Sequence, residues 1–154
     1  MRNALNKCIE LIVSILDADS DVNTITLMED EDSIDFDKKN IYNLVNVNLI
    51  SINFDEKTIG FEVTALAQRD EVKTTITNKL LGNDNRIDNF QSVHSILNNL
   101  IKSLRLNRNE YDIDYVSSSE PVIFKKAFTN GLDGMTVDVV LNYPDNNTTV
   151  CDDC

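Results

Sequence analysis

The chain has 154 residues, 26 acidic and 14 basic side chains, and a formal net charge of -12. This length suits one domain able to bury roughly two-thirds of its unfolded surface. With 42% apolar residues, two Pro and four Gly, the chain is neither disordered nor collagen-like. The acidic balance argues against a protein that neutralises DNA phosphates over a broad surface, which needs clustered Lys and Arg. The densest apolar stretch, Ile9 to Leu16, contains Glu10 and Ser14. It falls far short of the roughly 20 residues of a membrane span, and it lacks the charged start and small-residue cleavage site of a signal peptide.

In chain order, Ala4 to Asp17 carries Leu5, Cys8, Ile9, Ile12, Ile15 and Leu16 at helical spacing, with a stop in the Asp17 to Asp21 cluster. Val22 to Met28 reads as a short strand, and the acidic stretch from Glu29 to Asp37 as a solvated loop. Leu44 to Phe54 alternates, but its phase slips at Leu49–Ile50, the signature of a bulge or of a strand whose buried face changes. The polar run Asp55 to Thr58 then joins it to a second alternating run, Ile59, Phe61, Val63 and Ala65, as a β-hairpin. Gln68 to Arg86 is a long irregular connection. Asp88 reads as the N-cap of the strongest helix, whose apolar face is Phe90, Val93, Leu97, Leu100, Ile101 and Leu104. Lys102 and Arg105 sit in its last turns, where cations complement the helix dipole. Tyr111, Ile113 and Tyr115 alternate, as do Val122, Phe124 and in part Phe128. The turn Asn130 to Gly134 leads into a last strand with Met135, Val137, Val139, Leu141 and Tyr143, ended by Pro144. Residues 145–154 form a polar tail after a single domain at 1–144.

Helices do not alternate with single strands, so a doubly wound parallel sheet is not expected. The pattern predicts an α+β fold: an antiparallel β-sheet with two α-helices packed on one face, plus long projecting loops.

The chemistry-bearing residues form no familiar constellation. Asp17, Asp19, Asp21 and Asn23 alternate like the start of an EF-hand loop, but Val22 stands where the turn needs Gly and Met28 where a bidentate Glu belongs. Cys8, Cys151 and Cys154 are an odd count, which predicts no disulfide framework and a reducing compartment. Cys151 and Cys154 have CxxC spacing at the extreme C-terminus without a second ligand pair, so they read as an exposed tail rather than a zinc or redox site. His94, the sole histidine, flanks the apolar face of the second helix without a nucleophile on its own side, and reads as a helix-border residue. The four Gly fit no phosphate-binding loop. Asn146, Asn147 and Thr148 match the glycosylation pattern as a coincidence of an Asn-rich composition. The expectation is a non-enzyme without cofactor or metal.

The order of elements, together with certain short motifs, resembles phage tail-terminator and tail-completion proteins, and more specifically the head-to-tail ring proteins of crAss-like phages and their relatives. The residues that carry this resemblance are Asn48 to Ile52 with Phe61 to Val63, Ala67 to Asp70, Asp84 to Phe90, and above all Phe128 to Thr136 leading into the last strand. The resemblance implies a structural virion protein of the neck or tail without catalysis. Such a protein forms six-fold or twelve-fold rings, joins portal or connector to tail, and lets DNA pass through the lumen without sequence-specific binding. It is assembled in the host cytoplasm and contacts no membrane.

Opposite charges on projecting segments can pair across subunits, although exposed pairs contribute little individually. Arg69, Lys73, Lys79 and Arg86, with Asp30, Glu31 and Asp32 as partners, are the expected subunit contacts. Net negative charge keeps DNA from sticking to a channel wall, and equally serves ordinary solubility. The alternative is a small acidic adaptor or regulator that binds a basic protein partner.

Overall fold

The computed structural model describes residues 3–29, 42–68, 86–106, 112–127 and 131–144. The first helix, α1, spans Ala4–Asp17, the range the spacing predicts. The Asn3 side chain caps it by accepting from the Asn6 N–H at 2.9 Å, which satisfies one of the donors a helix start leaves open. Cys8, Leu11, Ile12 and Leu16 form its buried stripe. Past Ala18 the Asp19 carboxylate accepts from the Asp21 N–H at 3.0 Å, an Asx turn that stops the helix. The Asp-rich segment is thus turn chemistry.

Strand β1 (Thr24–Leu27) follows, then β2 (Leu44–Asn53) and β3 (Thr58–Gln68). Helix α2 spans Arg86–Arg105, and β4 (Asp114–Ser118), β5 (Val122–Ala127) and β6 (Leu132–Asn142) complete the sheet. The strand order is β1-β2-β3-β6-β4, with β5 also pairing with β6. The sheet is antiparallel except for β1, which lies parallel to β2 with Thr24 opposite Leu44. A parallel neighbour requires a connection of a dozen or more residues, and residues 28–43 supply it.

β1 is short for an edge strand and is held by side chains. The buried Asn46 accepts from the Thr26 hydroxyl at 2.7 Å and from the Glu29 N–H at 3.3 Å, and donates to the Glu29 carbonyl at 3.1 Å. Its amide substitutes for a further strand residue, which makes a buried Asn tolerable.

The β2–β3 hairpin carries the expected irregularity. Leu49 pairs with Phe61 but Ser51 pairs with Gly60, so Ile50 is the extra residue of a bulge. The bulge explains the phase slip and sets Ser51 opposite Gly60, where a Cβ would meet the Ser51 hydroxyl first.

β4 and β5 run in turn along the same edge of β6, with Tyr115 opposite Leu141 and Ile123 opposite Met135. The break between them is bridged at Ser119, whose N–H donates to the Asp138 carbonyl at 2.9 Å and whose hydroxyl accepts from the Asp138 N–H at 2.9 Å. A broken, bulged edge with Pro121 in the gap is a poor template for further pairing.

Odd-numbered residues of β3 and β6 face the helices. Ile59, Phe61, Val63, Ala65 and Ala67 meet Met135, Val137, Val139 and Leu141, and beneath them lie the α1 stripe and Val93, Ile96, Leu97, Leu100 and Leu104 of α2. Burying each of these larger side chains contributes about 1.5–3 kcal/mol before conformational entropy is offset. The other sheet face is polar along most of its length, with one apolar end: Leu44, Leu66 and Leu132, packed by Tyr42 and Phe124.

Several boundaries differ from the sequence expectation; β1, expected over Val22 to Met28, is confined to Thr24–Leu27. α2 begins at Arg86, so Asp88 is a first-turn acid that favours the helix dipole and not its N-cap. β4 starts at Asp114 because Asp112 adopts a left-handed φ of 55°, which interrupts the extended run expected from Tyr111. The last turn is tighter than Asn130 to Gly134: Gly131 takes the positive φ of 65°, and Leu132, Asp133 and Gly134 already belong to β6.

Candidate functional site

Most residues expected at subunit contacts, namely Arg69, Lys73, Lys79, Asp30, Glu31 and Asp32, lie outside the described residues, and Arg86 is the first residue of α2. Also outside are Cys151, Cys154 and the Asn146 to Thr148 run. Among the described residues no group of three or more His, Cys, Asp or Glu stands close enough to hold a metal ion. No helix there is long and apolar enough to cross a membrane.

The best-formed concavity, about 170 Å³, lies between α2 and the β4–β5 edge. Leu97 and Ile101 of α2 and Met135 and Val137 of β6 supply its apolar lining. His94, Asn98, Arg105, Ser118, Ser119 and Pro121 also border it. His94 is exposed, as a helix-border residue should be. The groove exists because β4 and β5 break at 119–121 just where α2 crosses the sheet edge.

One end of this groove is fixed by a small polar cluster. The Tyr115 hydroxyl and the Ser118 hydroxyl share a hydrogen bond of 2.7 Å, and Arg105 Nη2 donates to the same phenol at 3.4 Å. The guanidinium carbon also stands 5.2 Å from the Tyr115 ring centroid, within cation–π range. Burial pushes the Tyr115 phenol up, but the hydrogen bonds from Ser118 and Arg105 and the guanidinium charge outweigh it, so the net shift is down. This arrangement holds Arg105 at the rim. The Ser119 hydroxyl accepts from the Asp138 N–H.

A second surface is the β2–β3 hairpin tip. Phe54 is 78% exposed there, with Ile50 and Ile52 exposed on the strand leading to it. The Asn53 side chain accepts from the Asp55 and Glu56 N–H groups at 3.0 Å each, and Lys57 takes a φ of 55°. The Tyr143 N–H donates to the Lys57 carbonyl at 3.0 Å, tying the turn to the end of β6. The tip is therefore a fixed shape that presents an aromatic ring to solvent.

The polar sheet face is a third surface. Asn48, Glu62 and Asp138 stand in one cross-strand row, with the two acids on adjacent strands directly opposite each other. Like charges so placed cost stability, which makes the pair a candidate for binding. In the neighbouring row the Thr64 and Thr136 hydroxyls share a 2.7 Å hydrogen bond.

Two buried polar features are structural. Asn89 of α2 donates to the Gln68 carbonyl at 3.1 Å and to the fully buried Asp133 carboxylate at 3.3 Å, joining the helix start to the sheet end. Cys8 is completely buried, and burial pushes its thiol up to about 11, so it packs as a small apolar residue.

Sequence reading missed the groove, because its walls come from elements far apart in the chain. It also treated Phe54 as the end of an alternating run; its position beside Asp55 to Thr58 was the available signal that it tops a turn. Among known proteins, no family model matches the chain and no curated protein matches it.

Proposed function

We propose that the protein is a structural virion component: a ring-forming subunit of a phage head–tail connector or tail barrel, of the tail-terminator kind, joining portal or connector to tail around the DNA channel. The observation that carries this reading is the β2–β3 turn at the sheet end, which presents the exposed Phe54 ring on a fixed shape above a packed α+β core. A ring subunit needs a stiff body and a preformed surface feature that engages its neighbour, and heterologous contacts of that kind close into rings when the rotation permits. The reading otherwise rests on the resemblance carried by the sequence motifs. The net charge of -12 suits a lumen through which DNA slides.

The acidic row of Glu62 and Asp138 favours a second reading, an adaptor that binds a basic protein partner through the polar sheet face. Negative-stain electron microscopy with light scattering on the purified full chain separates the two. Closed rings of six or twelve copies support the connector reading, whereas a monodisperse monomer at high concentration supports the adaptor.

A further inference from the structure

We propose that the hairpin tip and the α2 groove are the two halves of one contact, with Phe54 of one copy seated in the groove of a second copy. This deepens the ring reading and rests on it for the idea of self-association. The contact itself is argued from size, shape and charge.

Size comes first. The groove holds about 170 Å³ with an apolar lining of Leu97, Ile101, Met135 and Val137. An apolar cavity of about 150 Å³ suffices for benzene, so this half-open groove has room for a single phenyl ring. Phe54 is the most exposed large apolar side chain among the described residues.

Shape follows. The Asn53 turn, the Lys57 tie to Tyr143 and the bond from Asn142 Nδ2 to the Glu56 carbonyl fix the tip before any partner arrives. Little conformational freedom is then lost on docking. The same ties keep the tip at the Asn142–Tyr143 end of the sheet, with the β2–β3 ladder paired out to Asn53 and Thr58. The hairpin cannot fold back into its own groove, so the ring that enters belongs to another molecule.

Charge agrees. Asp55 and Glu56 follow Phe54 and are exposed, while the groove rim carries Arg105, with Lys102 exposed one turn earlier on α2. Glu120, exposed beside the lining residues Ser119 and Pro121, opposes this with one negative charge against two positive. Rim charges of opposite sign steer encounter and fix register. Tip and groove are different surfaces of one chain, so where the pairing is not reciprocal across a two-fold axis each copy keeps one half unused and the contact propagates from copy to copy.

The test uses the full-length chain. Sedimentation and light scattering over a concentration series are run on wild type, Phe54→Ser and Arg105→Glu. In parallel, a photoreactive benzophenone residue replaces Phe54 in a mixture of light and heavy isotope-labelled chains. Phe54→Ser changes an exposed side chain and leaves the fold intact, which circular dichroism verifies. The expected result is weaker self-association by on the order of 30-fold or more for Phe54→Ser, and a smaller, salt-dependent loss for Arg105→Glu. Mixed-isotope cross-links should map to 94–105, 118–121 or 135–137. Wild-type rings that persist unchanged in Phe54→Ser, or cross-links that map elsewhere, overturn this contact and leave the ring reading standing. A wild-type chain that stays monomeric at millimolar concentration overturns both.

Discussion

Gly134 offers the most direct test of the packing described above. A Cβ built there lies 2.5 Å from the Ala65 carbonyl oxygen and 2.6 and 2.8 Å from Phe124 ring carbons. The first neighbour is backbone in the centre of the β3–β6 ladder, where Leu66 pairs with Gly134 and Ala65 with Met135, so it cannot move without loosening adjacent hydrogen bonds. The second is a side chain in the small apolar cluster with Leu44, Leu66 and Leu132, and can be removed by mutation. Overpacking of this kind typically costs about 1–3 kcal/mol, and two simultaneous close contacts place Gly134→Ala near the top of that range. For a domain of this size the melting temperature should then fall by roughly 4–10 °C. Phe124→Ala alone should cost about 2 kcal/mol, because its ring is only partly buried. In the double variant the ring contact is gone but the Ala65 oxygen remains, so Gly134→Ala should cost about 1 kcal/mol less than in wild type. Urea unfolding followed by circular dichroism gives all four stabilities, with unchanged slopes showing that the comparison is sound. A Gly134→Ala variant within about 0.5 kcal/mol of wild type, well below the range for overpacking, would refute the argument, as would a penalty that vanishes completely without Phe124.

Further predictions concern single side chains. Asn46→Ala should cost about 1–3 kcal/mol, because it strands groups bonded to Thr26 and Glu29; hydrogen exchange should quicken at residues 24–29 and leave β3 and β6 protected. The Cys8 thiol, held up at about 11 by burial against an ordinary 9.0, stays protonated when folded while the unfolded chain ionises first. Its contribution is therefore full below pH 9 and lost as pH rises through 11, so the stability difference between wild type and Cys8→Ala should shrink over that window; a flat difference refutes the assignment. Arg105→Gln should move the Tyr115 phenolate transition to higher pH, because it removes a lowering charge and a donor; ultraviolet titration against Tyr115→Phe as the blank reads it.

Much of the fold was legible because burial follows periodicity. The α1 stripe, the odd positions of β3 and β6 and the α2 face all stand at the spacings their elements demand, and the Leu49–Ile50 slip is a real bulge. What escaped depended on long-range geometry. Ile96 of α2, fully buried, was not included in the helix face, although its position three after Val93 places it there. The parallel pairing of β1 left no trace in Thr24 to Leu27, because four residues with one neighbour look alike in either direction. The start of β4 was set by one left-handed residue, Asp112, in a run that otherwise alternates.

The proposed contact surfaces are less legible in the sequence for a related reason. Charge runs are conspicuous in sequence, and the contacts expected at Arg69, Lys73, Lys79, Arg86, Asp30, Glu31 and Asp32 come from them; all but Arg86 lie outside the described residues. Exposed charges interact weakly one pair at a time, whereas an exposed aromatic ring on a fixed turn can dominate a contact by itself. Phe54 has that character, and the sequence hides it because an apolar residue ending an apolar strand looks like core. The groove is hidden more deeply: Leu97 and Ile101 belong to the face of α2 that meets the core, and the concavity arises only where the β4–β5 edge stops covering that face. A broken edge strand therefore has two consequences at once. It protects the sheet against unwanted pairing at 119–121, and it leaves beside α2 a recess of about 170 Å³, edged by Arg105, with Leu97, Ile101, Met135 and Val137 in its lining.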